Sequence, residues 1–178
     1  SEVDDILRRL REIDEKLLRE NEESLKRLKD EVDRLKRKNE KSLDDLRKLV
    51  EKLIDDLRKR KEVEELARRV DDEARRVLKR NKEVVERIRE ELERVLRRNK
   101  EVVETIRKLS EDVVDELRSG GVDEKVLEEV KRSVDRTRDH LRKSEEDVRR
   151  LLDELRRHLE DSERRVRELL RKLREKVR

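Results

Sequence analysis

Polar residues recur at an interval of eighteen residues along stripes of the chain that are otherwise apolar. The repeated residues form five pairs, namely Asn21 and Asn39, Ser24 and Ser42, Asn81 and Asn99, His140 and His158, and Ser144 and Ser162. Because an α-helix has about 3.6 residues per turn, eighteen residues complete about five turns and return to the same face. A heptad repeat would impose a left-handed supercoil, whereas this period predicts nearly straight helices.

Apolar residues spaced three and four apart form three stripes, which predict three long amphipathic helices. We expect the helices at about 2–59, 62–118 and 123–177, in one domain that covers residues 1–178. The first stripe breaks at residues 58–62, which we interpret as a tight turn although no Gly, Pro, Asn, Asp or Ser marks it. The second break is Ser119-Gly120-Gly121, which holds the only two glycines and predicts a helix stop. Asp123 is the predicted N-cap of the third helix.

The composition argues against a disordered chain and against several kinds of partner. Charged residues make up 60% of the chain and hydrophobic residues 30%, a balance that would predict disorder without periodicity. The regular stripes instead indicate a packed core of Leu, Val and Ile. The chain has no aromatic residue, so it lacks the usual stacking surfaces for bases. Its net charge of +4 comes from interspersed acidic and basic residues, so we expect no nucleic-acid partner.

The sequence contains no sign of a membrane segment or a targeting signal. No apolar run approaches the ~20 residues of a membrane span, and no signal-peptide pattern is present. The absence of cysteine excludes thiol chemistry and leaves the cellular compartment open. We therefore expect a soluble protein with no membrane partner, no cofactor and no required partner. Self-association or association with partner helices remains open.

Folding the three stripes back on each other brings the polar residues to common levels. If the first two helices are antiparallel about position 60, residue i lies level with residue 120 − i; a second turn at Ser119 and Gly120 places the third helix in the same way. The result is a single-chain antiparallel three-helix bundle, all-α, in which two asparagines face one histidine at each of two levels. The first level is expected to join Asn21, Ser24, Asn99, His140 and Ser144, and the second Asn39, Ser42, Asn81, His158 and Ser162.

The histidines also invite a metal or a catalytic interpretation, which the pattern does not favour. His140 and His158 are about 27 Å apart on one helix, so they cannot share an ion. Ser144 and Ser162 each follow a histidine by one turn, but the pair is duplicated and no oxyanion loop or substrate pocket is expected. Mutual pairing of Asn, His and Ser in the core is favoured, because buried polar groups destabilise unless paired. Four more polar residues near the first level either extend the network or lie at its boundary, namely Thr105, Ser110, Ser133 and Thr137.

These features resemble those of de novo designed helical bundles with buried hydrogen-bond networks. The resemblance covers the whole chain and rests on the repeat, the Leu/Val/Ile core, the charged surface, the Ser-Gly-Gly loop and the absent residue types. Spectrin-like repeats are a weaker match, since they normally carry core aromatics. The resemblance implies a rigid scaffold and not an enzyme. It leaves open a pH switch through His140 and His158. It also leaves open one chain of a designed heteromer, for which four residues widen the second stripe, namely Ala67, Val85, Val103 and Val114.

Overall fold

The described chain folds into three α-helices. The computed structural model describes residues 2–120 and 123–177, so Gly121 of the predicted helix stop lies outside the described residues. The helices are α1 (Glu2–Arg58), α2 (Glu64–Arg118) and α3 (Glu124–Val177), and no strand occurs in the described part of the chain. The predicted fold class, an all-α three-helix bundle, is confirmed. No helix within these ranges is both long enough and apolar enough to cross a bilayer.

The chain divides into two compact units, each of which takes a segment from all three helices. Unit 1 contains Ser1–Leu28 and Glu90–Arg150, and unit 2 contains Lys29–Arg89 and Leu151–Arg178. The expectation of a single domain over 1–178 stays a prediction. Each unit has its own polar layer, and the two layers are described separately below.

Side-chain hydrogen bonds fix the register of the helices within each unit. In unit 1, Asn21 of α1 bonds to Asn99 of α2 and to Ser144 of α3. In unit 2, Asn39 bonds to Ser162, and both α1–α3 pairs have a sequence separation of 123. The offset between α1 and α3 is therefore the same in both units.

Each unit buries its own apolar core. The cluster in unit 1 consists of Val3, Ile6, Leu7, Leu10, Ile106, Leu109, Val113, Val130 and Val134. The cluster in unit 2 consists of Leu43, Leu46, Val50, Leu53, Ile54, Val70, Ala74, Val77 and Val166. Full burial of one such Leu, Ile or Val side chain contributes about 1.5–3 kcal/mol, which offsets the conformational entropy lost on folding. The stripes read from the sequence are thus the buried faces of the helices.

A few large apolar residues of unit 1 remain exposed. They are Leu18, Val103, Val114 and Leu117. Among the residues that widen the stripe of α2, Val85 is buried, whereas Ala67, Val103 and Val114 are exposed. Their covering by a partner helix stays a prediction.

The first turn uses an arginine where glycine is usual. Arg60 has a φ of 55, in the left-handed region that costs an L-residue about 1–2 kcal/mol. Its N–H donates to the carbonyl of Leu57 at 3.1 Å, and the N–H of Lys61 donates to the carbonyl of Asp56 at 3.0 Å. These two bonds form a Schellman motif, which satisfies carbonyls at the end of α1. Backbone hydrogen bonds therefore stabilise the turn, and no residue type in the segment predicts them.

The second turn uses the residues that the sequence marks for it. Gly120 has a φ of 79, and its N–H donates to the carbonyl of Leu117 at 3.1 Å. A Cβ added at Gly120 would meet nothing within 4 Å, so only the backbone conformation favours glycine there. The carboxylate of Asp123 accepts the N–H of Lys125 at 3.3 Å, which is the contact of an N-cap residue.

Candidate functional site

Three side chains in unit 1 form a closed hydrogen-bonded layer across all three helices. The amide nitrogen of Asn21 donates to Oδ1 of Asn99 at 2.9 Å and to Oγ of Ser144 at 3.1 Å. The amide nitrogen of Asn99 also donates to Oγ of Ser144, at 3.1 Å. All three residues are buried. We call Asn21, Asn99 and Ser144 the first layer.

Two arginines of α2, one in each unit, bond to the polar residues of α1. Neither arginine was predicted from the sequence. Each guanidinium donates to one asparagine and one serine of α1. The bonds run from Arg98 to Asn21 (3.4 Å) and Ser24 (3.1 Å), and from Arg80 to Asn39 (3.1 Å) and Ser42 (2.8 Å). A signal was available, because Arg80 and Arg98 share the eighteen-residue interval and each directly precedes a repeated asparagine. Among so many exposed arginines that signal does not stand out.

His140 bonds to a buried carboxylate and not to an asparagine of the first layer. Its Nδ1–H donates to Oδ1 of Asp14 at 2.8 Å, and the hydroxyl of Thr137 donates to the same oxygen at 2.9 Å. The contact expected between His140 and Asn99 is absent from the hydrogen bonds of the described residues, since Asn99 reaches Ser144, one turn further along α3. A hydrogen bond to an ionised acceptor is about twice as strong as a neutral one, which explains why the imidazole turns to Asp14.

Asp14 carries a signal in the sequence that the stripe analysis passed over. It is buried, at 8% exposure, on a stripe of α1 that is otherwise apolar. The positions eighteen and thirty-six residues later on the same face are Val32 and Val50, so Asp14 interrupts an apolar series. Likewise Thr137 is followed at the same interval by Leu155. Asp14 therefore gives His140 a hydrogen-bond acceptor, held by Thr137, that has no counterpart at the corresponding positions of unit 2.

In unit 2 the histidine does bond to an asparagine. The amide nitrogen of Asn39 lies 2.6 Å from Nε2 of His158 and 3.5 Å from Oγ of Ser162. Because an amide N–H can only donate, Nε2 of His158 accepts and the proton of the neutral ring lies on Nδ1. We call Asn39, Asn81, His158 and Ser162 the second layer.

Asn81 is fully buried and has no hydrogen-bond partner among the described residues. Its exposure is 0%, and neither its Nδ2 nor its Oδ1 is paired. The contacts expected with Asn39 and His158 are not formed, because Asn39 directs its amide to the imidazole. The Nε atoms of Arg80 and Arg98 are also unpaired, but they occur in both units and do not distinguish them.

The surroundings of His158 favour its neutral form. Burial lowers the pKa of the imidazole, and the nearby ammonium of Lys36 lowers it further. Asp161 and Glu40 act in the opposite direction. Lys36 itself is paired with Glu154, whose pKa is lowered by that contact. Acid is thus required to protonate the one imidazole that must accept a hydrogen bond.

Within the described ranges, no group of three or more His, Asp or Glu side chains is placed to hold a metal ion. The two histidines lie in different units, and each is bonded to a different kind of partner. The layers and their surroundings show hydrogen bonding among amides, hydroxyls, imidazoles, guanidinium groups and one buried carboxylate.

Comparison with known proteins shows a likeness to a solved structure. No protein-family model and no curated protein matches the chain. A solved structure described as a computationally designed three helix bundle is similar, with a TM-score of 0.55 and 18% sequence identity. The match covers 99% of this chain and 89% of that chain. At this level of identity the likeness shows the three-helix fold alone.

Proposed function

We propose that the protein is a designed structural scaffold with no natural biochemical activity, whose buried polar layers specify which helices meet and at which register. The observation that carries the proposal is the first layer, in which Asn21, Asn99 and Ser144 pair with each other across three helices. The all-α fold, the periodic composition and the likeness to a designed bundle support it.

The layer can specify register because a shifted helix would leave its polar atoms unpaired. Sliding α2 by one turn toward the start of α1 would place Asn99 against the buried side chain of Leu17 and would leave Asn21 without its acceptor. Each buried polar group left unpaired costs about 1–3 kcal/mol. An apolar layer would tolerate the same shift at little cost, because Leu and Val pack without directional bonds.

The test is to remove the polar groups and ask whether the fold stays unique. In the variant Asn21→Leu/Asn99→Leu/Ser144→Ala we expect retained helix content but several sets of backbone amide NMR signals or a concentration-dependent mass. Asn81→Leu is the matched control, since it replaces a buried asparagine that has no partner, and it should keep one set of signals. A triple variant with one set of signals and unchanged interhelical distances between spin labels would contradict the proposal.

A second candidate function is a pH response through His158. The supporting observation is the bond in which Nε2 of His158 accepts from Asn39 at 2.6 Å. Protonation puts a hydrogen on both ring nitrogens, so the imidazolium cannot accept that bond. The amide of Asn39 is then released, and the level arithmetic places it beside Asn81, whose own amide is unpaired. We propose that acid moves Asn39 from His158 to Asn81, which reproduces the arrangement of Asn21 and Asn99.

The charged groups around His158 come from all three helices. On α1 they are Lys36 and Glu40, and on α3 they are Asp161 and Arg165. From α2, Arg80 reaches the layer through Oδ1 of Asn39. With the folded pKa lowered, the stability that the neutral ring provides is full above the unfolded pKa and is lost as pH falls through the folded pKa.

By contrast, His140 does not lose its hydrogen bond on protonation. Its Nδ1–H donates to Asp14 whether or not Nε2 carries a proton. The different partners of the two rings therefore assign the acid-sensitive bond to His158 alone. Side-chain amide NMR signals of Asn39 and Asn81 that do not change between neutral and acid pH would contradict this candidate.

A further inference from the structure

We infer that His140 is an oriented nucleophilic imidazole that hydrolyses activated aryl esters of short fatty acids. This capacity goes beyond the scaffold role and does not depend on it. Two structural facts carry the inference, and neither was visible in the spacing of Ser144 and His140. They are the buried carboxylate that holds one edge of the ring and the groove that the ring lines.

The carboxylate fixes the tautomer of His140. Oδ1 of Asp14 accepts the Nδ1–H at 2.8 Å, so in the neutral ring the lone pair lies on Nε2. The hydroxyl of Thr137 donates to the same oxygen at 2.9 Å and holds the carboxylate in place. An orienting carboxylate on one ring nitrogen and a free lone pair on the other is the arrangement in which imidazole acts as a base or nucleophile.

The free edge of the ring is accessible. Nε2 of His140 has no hydrogen-bond partner among the described residues and is not among their buried unpaired atoms, while the side chain is 27% exposed. The ring lines a groove of about 410 Å³ between α1 and α3, within unit 1. Leu17, Leu18 and Leu25 form the apolar wall of that groove, which suits an acyl chain.

Ser144 is not the nucleophile, although it lies in the same groove. Its hydroxyl oxygen is buried and accepts both layer amides, from Asn21 and Asn99. His158 is not a nucleophile either, because Nε2 of that ring is occupied by the amide of Asn39. The two histidines therefore form a matched pair within one chain, with one lone pair free and the other engaged.

The reaction proceeds in two balanced steps. The Nε2 lone pair of His140 forms a bond to the ester carbonyl carbon, and the bond from that carbon to the aryl oxygen breaks, so the electron pair leaves with the aryloxide. Water then adds to the acyl carbon and the carbon–nitrogen bond breaks, which returns the electron pair to Nε2. The protons of water go to the carboxylic acid and to the aryloxide, and the Nδ1–H stays with Asp14 throughout. Asp14 is a positioning residue, since it does not touch the substrate.

The test uses para-nitrophenyl hexanoate with the full chain and follows release of the phenolate. We expect turnover that falls about tenfold or more in His140→Asn and is unchanged in His158→Asn. Loss of activity in His158→Asn with retention in His140→Asn would overturn the inference, as would stable acylation of Lys143 without turnover. Helix content by circular dichroism checks that both variants fold.

A second measurement needs no variant. Diethyl pyrocarbonate modifies the free lone pair of imidazole, so the wild-type protein should be modified at His140 about tenfold faster than at His158. Equal modification of the two histidines, measured by peptide mass spectrometry, would overturn the inference.

The role of Asp14 has its own readout. In Asp14→Asn we expect the ring ¹⁵N NMR signals of His140 to show loss of the single Nδ1–H tautomer, together with about a tenfold lower turnover. A purely structural role would leave the tautomer unchanged, and that result would remove Asp14 from the mechanism.

Discussion

The two units carry the same repeat and yet satisfy their polar groups differently. In unit 1 the asparagines of α1 and α2 bond to each other, and the histidine bonds to Asp14. In unit 2 the asparagine of α1 bonds to the histidine, and Asn81 is left unpaired. Val32 stands where unit 1 has Asp14, and it offers no acceptor to the ring. We infer that Asp14, which lies outside the repeated residues, decides which partner the histidine takes.

The largest expected effect is that two equivalent substitutions change the free energy of unfolding in opposite directions. Asn99→Leu removes the hydrogen bonds that Asn99 makes with Asn21 and Ser144, and it should lower the free energy of unfolding by about 2–3 kcal/mol. Asn81→Leu removes two buried unpaired atoms and should raise it by about 1 kcal/mol. Leucine has as many side-chain heavy atoms as asparagine, so the packing change is similar. Unfolding in guanidinium chloride measures both changes in free energy. A change in the same direction for both substitutions would contradict the difference between the layers.

The next test transplants the surroundings of one layer to the other. Asp14→Val/Thr137→Leu gives unit 1 the apolar residues that unit 2 has at these two positions, Val32 and Leu155. We expect His140 to take the amide of Asn21 and to leave Asn99 unpaired. In this background Asn99→Leu should become stabilising, a change of about 3 kcal/mol from its effect in the parent chain. Denaturant unfolding of the four chains measures the change, and an unaltered effect of Asn99→Leu would show that Asp14 does not decide the arrangement.

A smaller effect is expected on the pH dependence of stability. The lowered pKa of His158 means that the wild type loses stability as pH falls from about 6.5 through the folded value. We expect His158→Asn to remove this loss, about 1 kcal/mol for each pKa unit of lowering, while His140→Asn retains it. Unfolding midpoints at about pH 7.5 and pH 5 measure it, and all three proteins share the background titration of carboxylates. The same dependence of the unfolding midpoint on pH in the wild type and in His158→Asn would contradict the pH response.

The smallest expected effect compares the two turns. Arg60→Gly relieves a left-handed residue and should stabilise by about 1 kcal/mol. Gly120→Ala introduces such a residue where a Cβ meets no atom, so it should destabilise by a similar amount, about 1 kcal/mol. Thermal unfolding measures both substitutions. A neutral Arg60→Gly would mean that the side chain of Arg60 offsets the backbone cost.

The sequence predicts the fold class well because the apolar residues that recur along the sequence are the residues that the helices bury in the core. The stripes of three and four give three helices, and folding the first two helices back about position 60 brings Asn21 level with Asn99, which bond at 2.9 Å. Glycine and an N-cap aspartate mark the second turn, but Arg60 gives no such sign. Its conformation is dictated by the Schellman hydrogen bonds and not by its own preference.

The hydrogen-bond partners are less predictable than the levels. Level arithmetic locates residues along a helix to within about one turn, whereas a hydrogen bond requires agreement to a fraction of an ångström. Asn99 therefore meets Ser144 and not His140. Asp14 competes for His140 from a position that the repeat does not include, and Arg80 and Arg98 reach in from the boundary of the core. Of these contacts, the one between Asp14 and His140 could have been predicted only from the interruption of the apolar series at Asp14.

The most direct test of the central claim is a pair of double-mutant cycles on the free energy of unfolding. One cycle combines Asn21→Ala with Asn99→Ala, and the other combines Asn39→Ala with Asn81→Ala. The hydrogen bond in unit 1 predicts a coupling of about 1 kcal/mol for the first cycle, and the unpaired Asn81 predicts a coupling near zero for the second. Equal couplings in the two cycles would contradict the account.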